Sequence, residues 1–363
     1  MLVRRNQNLL YDVLKAPAHP YRPEELAKLF AFVQQERVDK LANVLADYIK
    51  TNLPEAIEKR ESLADYRTNP YVTLTAANVT GLSDPDRFAK FLFDSKLYAG
   101  LETSFGKSIE DVVIGTYPLV GTKKWVAPPE KIAEAKSLSG LSREDKARKR
   151  RTSIWREVDK SCVFGTRRIL MLIKSGPNCI NDTQVQAMTD AIADNYRKWL
   201  SETKKTYPKV TELDVVVGLT YGTERTTNNK ENQILVKLLE SGFVEESRAS
   251  RPGVLVAKGR KPVRVYRCVG SGFWAVIGNP VAPRKAEFTF LEVLLALAKA
   301  LKLTVEQADM ETRINLKLKQ LALALSDMTL PKNALPKWVG SSFSDTEMFW
   351  LATALSAFYD QGI

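Results

Sequence analysis

The sequence predicts an α/β fold in which a mixed central sheet is flanked by helices, with helical additions at both the N- and C-terminal ends. Two observations carry this. Between about residues 154 and 280 the chain alternates short apolar runs with helix-length segments, and on either side it reverts to apolar residues at helical spacing. At 363 residues the chain is long enough for one elaborated domain or a core with additions. The divisions expected are a helical region over 1–95, an α/β core over 96–285 and a helical region over 286–363.

In order, LAKLFAFV and VDKLANVLADYI within residues 22–66 read as two or three amphipathic helices between prolines. Residues 67–86 read as a polar, turn-rich stretch. RFAKFLFDSKLYAGLETSFGKSIEDVVIGTYPLV follows as a helix or helix pair, whose Gly100 and Gly106 would allow close packing. Residues 121–153 are hydrophilic and end in SREDKARKRRTS. SCVF and RILMLI then read as strands, Asp182 to about Thr203 as a helix, and LDVVVGLTYG as the next strand. After a helix over 230–240, GVLVA, VRVYRCV and FWAVIG read as three strand-like runs. Residues 287–325 and the segment EMFWLATALSAFY read as further helices. There is no internal repeat.

Charge narrows the partner. Lys and Arg number 54 against 42 Asp and Glu, a net charge of +12 with a pI near 9.4. That excess favours a polyanion, most simply nucleic acid. It is densest between Arg143 and Arg168, where ten Lys or Arg stand against four acidic residues. Lys146, Arg148, Lys149, Arg150 and Arg151 are therefore candidate phosphate contacts, with a solvated basic face as the plain alternative.

Chemistry is narrowed by what is scarce. The single histidine, His19, lies in a proline-flanked segment and reads as an ordinary loop residue. Unless His19 is recruited in space, a Ser-His-Asp triad, a multi-histidine zinc site and an HNH-type nuclease all lack the imidazoles they need. Cys162, Cys179 and Cys268 are far apart and suggest neither a zinc site nor a disulfide framework. No stretch approaches the length of a membrane span, and the start lacks an apolar signal core, so a soluble cytoplasmic protein with no membrane partner is expected. Hydrolytic chemistry in such a chain has to rest on carboxylates, lysine and metal.

The lysine to watch is Lys174, which ends the apolar run in ILMLIKSGPN, where an ammonium is expensive to desolvate unless paired or exposed. Asp159 lies fifteen residues earlier. A turn near Gly165-Thr166 would bring the two together at one sheet edge, offering oxygen ligands for Mg²⁺ and a cation for developing phosphate charge. Beyond it, Asn178, Asn181, Gln184 and Gln186 surround the start of the next helix. Helix capping and contacts to DNA both account for them.

REVDKSC and LMLIKSGPNCINDTQ resemble the catalytic segment of type II restriction endonucleases of the PD-(D/E)xK nuclease superfamily. ETSFGKSIE is similar to the helix before the site in such enzymes, VVVGLTYGTE to the following core strand, and GSGFWAVIG to a late strand; together these span about residues 100–280. The resemblance implies a PD-(D/E)xK nuclease-like core and a prokaryotic, Mg²⁺-dependent endonuclease. It would cut double-stranded DNA at a short palindromic site, usually as a homodimer. Asp159 would be a metal ligand, Lys174 the catalytic lysine, and Ser175 would lie against DNA.

One position departs from the pattern: Leu172 stands where the acid two residues before the lysine belongs. Strand alternation points Leu172 the same way as Lys174 and puts Glu157 beside Asp159. Glu157 is thus the first candidate for the replacement catalytic and metal-binding carboxylate, and Glu110, at the end of SFGKSIE, the second. On this reading Leu172→Glu is neutral or restores activity. The alternatives are a structure- or damage-directed nuclease with the same core, and a catalytically silent DNA-binding protein.

Overall fold

A computed structural model describes residues 23–356 apart from 60–62, 67–68, 118–122, 177–178, 224–227, 247–253, 260–261, 287, 305–306, 329 and 331. His19 and Asn178 lie outside the described residues. The described residues form an α/β fold, with a six-stranded mixed sheet and helices on both of its faces.

Helix α1 spans Pro23–Leu29 and α2 spans Gln35–Glu58. The stretch read as turn-rich contains a helix, α3, over Pro70–Thr80. Its end signals outweigh its polar composition. The Asn69 side chain accepts the N–H groups of Tyr71 and Val72, Pro70 starts the first turn, and Gly81 closes it in the left-handed conformation (φ 62°). Helix α4 covers Pro85–Ser108 behind an Asp84 cap, then widens into a π turn over Ile109–Val113 and a 3₁₀ turn over Ile114–Thr116. Helices α5 (Pro129–Ser137) and α6 (Arg143–Thr152) follow, the second carrying the densest basic segment.

Strands β1 (Lys160–Phe164) and β2 (Arg167–Lys174) form an antiparallel hairpin. Gly165 takes the positive φ of 52° that the Gly165-Thr166 turn requires. Helix α7 (Asp182–Thr206) then carries the chain to β3 (Glu212–Leu219), which lies parallel to β2. Helix α8 (Lys230–Glu240) and short strands β4 (Val244–Glu246) and β5 (Leu255–Ala257) lead to β6 (Val263–Val269), parallel to β3. The sheet order is β1-β2-β3-β6-β5-β4, with β5 and β4 antiparallel at the far edge. β2 and β3, covered on both faces, read as near-continuous apolar runs for that reason.

FWAVIG is not a strand. Ser271–Gly278 form helix α9, starting directly after β6 at Gly270 (φ 53°). A short apolar run cannot be told from a buried helix by periodicity, and this helix is buried nearly all round, from Phe273 to Gly278. Helices α10 (Thr289–Thr304), α11 (Gln307–Ser326), α12 (Lys337–Ser342) and α13 (Asp345–Leu355) complete the described chain.

Strand alternation divides the core. Ile169, Met171 and Ile173 of β2 pack with Leu41, Leu45 and Ile49 of α2, Phe273 and Ile277 of α9, and Val293 and Ala296 of α10. Leu170 and Leu172 face the other way, onto Val185, Met188 and Ile192 of α7 and Ile234 and Leu238 of α8. Helices from before and after the sheet therefore cover one of its faces together, and Arg37 of α2 locks them by pairing with the buried Glu292 of α10 at 2.5 Å. A third cluster joins Phe88 and Phe93 of α4 to Leu321 and Leu325 of α11 and Trp350 of α13. No helix among the described residues is long and apolar enough to cross a membrane.

Candidate active site

The β1–β2 hairpin builds the site. Asp159 extends its ladder by one residue, donating its backbone N–H to the Met171 carbonyl at 2.9 Å. Its carboxylate Oδ2 accepts the Ile173 N–H at 2.7 Å, and its other oxygen makes no hydrogen bond among the described residues. Continuing the register in which Lys160 faces Met171, Asp159 stands opposite Leu172. An acid is thus present beside the vacant position, on the neighbouring strand. Leu172 itself is fully buried against α7. Glutamate there would meet apolar side chains, so Leu172→Glu is destabilising rather than neutral.

Lys174 is the last residue of β2, and its Nζ lies 4.0 Å from Glu157 Oε2. Glu157 reaches it by a different route from the expected strand alternation. Residues 154–157 form a turn, closed where Arg156 and Val158 donate to Ser153 and Trp155. Glu157 also pairs with Arg156 at 3.1 Å, so its carboxylate is shared between two cations.

Glu110 comes from the π turn after α4, and its carboxylate makes no hydrogen bond or ion pair among the described residues. Its charge is nevertheless felt at Asp159. Burial pushes the Asp159 carboxyl up to about 6, and the Glu110 carboxylate adds to this; the Ile173 N–H, Lys131 and Lys174 pull the other way. Glu110 is itself raised, by burial first and then by Asp111, against Lys160, Lys131 and Lys174. Two carboxylates and several ammonium groups therefore act on one another through their charges at this end of the hairpin.

Lys131 was not signalled by the sequence, because it sits in an ordinary-looking helix, α5. Its Nζ donates to the carbonyls of Val158 at 2.7 Å and Arg156 at 3.3 Å, the residues flanking Glu157. Its neighbour Glu130 grips the fully buried Arg168 of β2 through two bonds of 2.8 and 2.7 Å. Arg168 lies between the rings of Trp155 and Tyr207, at 5.3 and 5.1 Å. This clamp fixes α5, and with it Lys131, against the hairpin.

The loop after Lys174 is seated on two glycines. A Cβ at Gly106 would come within 2.5 Å of Ser175 Oγ, and one at Gly176 would overlap the Tyr221 ring. Gly106 thus supplies the close approach its sequence position suggested, and Thr220 ties the loop down by donating to the Ser175 carbonyl at 2.5 Å. Asn181 and Gln184 form a capping box at the start of α7, with bonds of 2.9 and 3.0 Å, and Gln186 bonds Asp190. Arg148, Lys149, Arg150 and Arg151 lie exposed on α6, and Lys146 on the same helix is half-buried. The end of that helix is held to α5 by Ser153 Oγ donating to Glu134 at 2.6 Å.

No group of three or more His, Cys, Asp or Glu residues gathers as a metal cluster among the described residues. The donor set still fits Mg²⁺, which takes one or two carboxylates and keeps several waters. Asp159 offers an uncommitted oxygen, Glu110 an uncommitted carboxylate, and burial of negative charge there favours a cation. No protein-family model matches the chain, and no curated protein matches it significantly.

Proposed function

We propose that this protein is a site-specific, Mg²⁺-dependent double-stranded DNA endonuclease of the type II restriction kind, with a PD-(D/E)xK nuclease-like core, working in a prokaryotic cytoplasm. The observation that carries the reading is the β1–β2 hairpin, which sets Asp159 and Lys174 on adjoining strands, with the Glu110 carboxylate felt at Asp159. Asp159 and Glu110 would hold the cation, and Glu157 becomes a partner that orients Lys174, since it already pairs with that ammonium. Bound there, Mg²⁺ would supply Lewis-acid polarisation of the scissile phosphate.

The chain's own residues do the rest. Lys174, presented at a rigid strand end, places positive charge where the attacking oxygen and phosphate build negative charge. Lys131, fixed on the carbonyls beside Glu157, holds the turn that carries that residue. The exposed basic face of α6 runs into this turn and would take the DNA backbone, giving affinity without sequence information. A homodimer would place two such sites on the two strands of a palindrome.

The test is digestion of a mapped viral DNA with and without Mg²⁺, followed by sequencing of the ends. Discrete fragments that require Mg²⁺ support the reading. A Mg²⁺-dependent smear points to a structure- or damage-directed nuclease. Binding without cleavage points to a silent DNA-binding protein, the reading that Leu172 favours.

A further inference from the structure

Beside the loop that follows Lys174 lies a cavity of about 300 Å³ between α4 and the ends of β2 and β3. The catalytic groups described above do not line it. Its wall carries Tyr98, Glu102 and Phe105 from α4, Ser175 from the loop, and Tyr221 after β3. Tyr98 and Tyr221 are 73% and 47% exposed, so their rings face the opening rather than completing the core. The Tyr221 hydroxyl donates to Glu102 Oε1 at 2.6 Å, which holds the ring and the carboxylate in fixed relation. The second Glu102 oxygen makes no hydrogen bond among the described residues. Tyr221 is further braced against Gly176, whose missing side chain leaves room for the ring.

We infer that this cavity is a base pocket: it takes one nucleobase bearing an exocyclic amino group, from the DNA strand that passes Lys174. The inference rests on the nuclease reading. Flat aromatic walls are the surfaces on which bases stack, and stacking tolerates any base. The carboxylate adds a choice, because it accepts from the amino hydrogens of cytosine, adenine or guanine, whereas thymine has no amino group. A base reaches such a wall with its face and its amino edge only when it has left the stack, so the nucleotide enters unstacked. Ser175, adjacent to Lys174 in the chain, places that nucleotide next to the phosphate under attack.

The full chain is tested in EDTA, so that binding is read without cleavage. The probes are short single-stranded oligonucleotides of deoxycytidine and of thymidine, with a random-sequence duplex as reference. Wild type should prefer the deoxycytidine oligomer. Tyr98→Ala should weaken that complex roughly 5- to 100-fold, the loss of one stacked base, while Tyr98→Phe keeps wild-type affinity and duplex binding is unchanged in both. Glu102→Ala should bind the two oligomers alike. Equal affinity of wild type for both, or undiminished binding by Tyr98→Ala, overturns the pocket while duplex binding leaves the nuclease reading standing. Failure of wild type to bind any of the three probes overturns both.

Discussion

The Asp159 carboxylate accepts the backbone N–H of Ile173, at 2.7 Å, and Ile173 is the residue before Lys174. Acid and lysine are thus tied to one another through a single peptide unit on one hairpin. Neither can shift along its strand without breaking that bond, which fixes their separation before any ligand arrives.

Lys174→Ala should lower cleavage by roughly 10²-fold or more, the loss typical of one preorganised charge-stabilising donor. DNA binding should stay within a few-fold of wild type, because the basic side chains on α6 are untouched. Single-turnover cleavage and gel-shift measurements on the same DNA check both halves. Cleavage at the wild-type rate would remove Lys174 from the site.

The two candidate carboxylates should separate. Glu110→Gln is expected to cut the rate by roughly 10² and raise the Mg²⁺ concentration needed for half-maximal cleavage. Glu157→Gln should cost about tenfold or less with an unchanged Mg²⁺ requirement, since it leaves the cation's ligands in place. Titrations of rate against Mg²⁺ distinguish them, and the reverse pattern would make Glu157 the ligand.

Burial of Asp159 also predicts a pH dependence of stability. Its folded value of about 6 lies above the ordinary 3.8, so the proton favours the folded state. The stabilising contribution is whole below about pH 4 and is lost as pH rises through about 6. Relative to Asp159→Asn, the wild type in EDTA should therefore lose stability across this window, by about 3 kcal/mol at most. Denaturant unfolding of both proteins from pH 4 to 7.5 measures it; a pH-independent difference would contradict it.

Replacing Lys149, Arg150 and Arg151 by Gln should weaken binding to unrelated duplexes about equally. The slope of log K against log salt should flatten by about 0.9 for each phosphate that is no longer neutralised. A change in sequence preference at an unchanged slope would place α6 elsewhere.

What the sequence made legible was local. Asp159, Lys174 and the Gly165-Thr166 turn belong to one hairpin, so fifteen residues of pattern sufficed. Glu110 stands only second among the candidates in the sequence, because a π turn carries it and a π turn leaves little mark on sequence. Lys131 was invisible: its place depends on Arg168, a strand arginine buried between two rings, gripping the residue beside it. Helix α3 was hidden by its Asn and Thr content, although Asn69-Pro70 and Gly81 mark its ends. FWAVIG misled because burial on every side erases the periodicity that separates helix from strand.

The Arg37–Glu292 pair sets an order of events at the ribosome. The α2 face carrying Leu41, Leu45 and Ile49 emerges long before α10, which covers it alongside the sheet. At about 5–20 residues per second, that interval is on the order of tens of seconds. The nascent chain therefore presents an apolar helix that lacks one of its main partners throughout synthesis of the sheet, and chains stalled before Thr289 should be cut by protease within 35–58, where released chains resist.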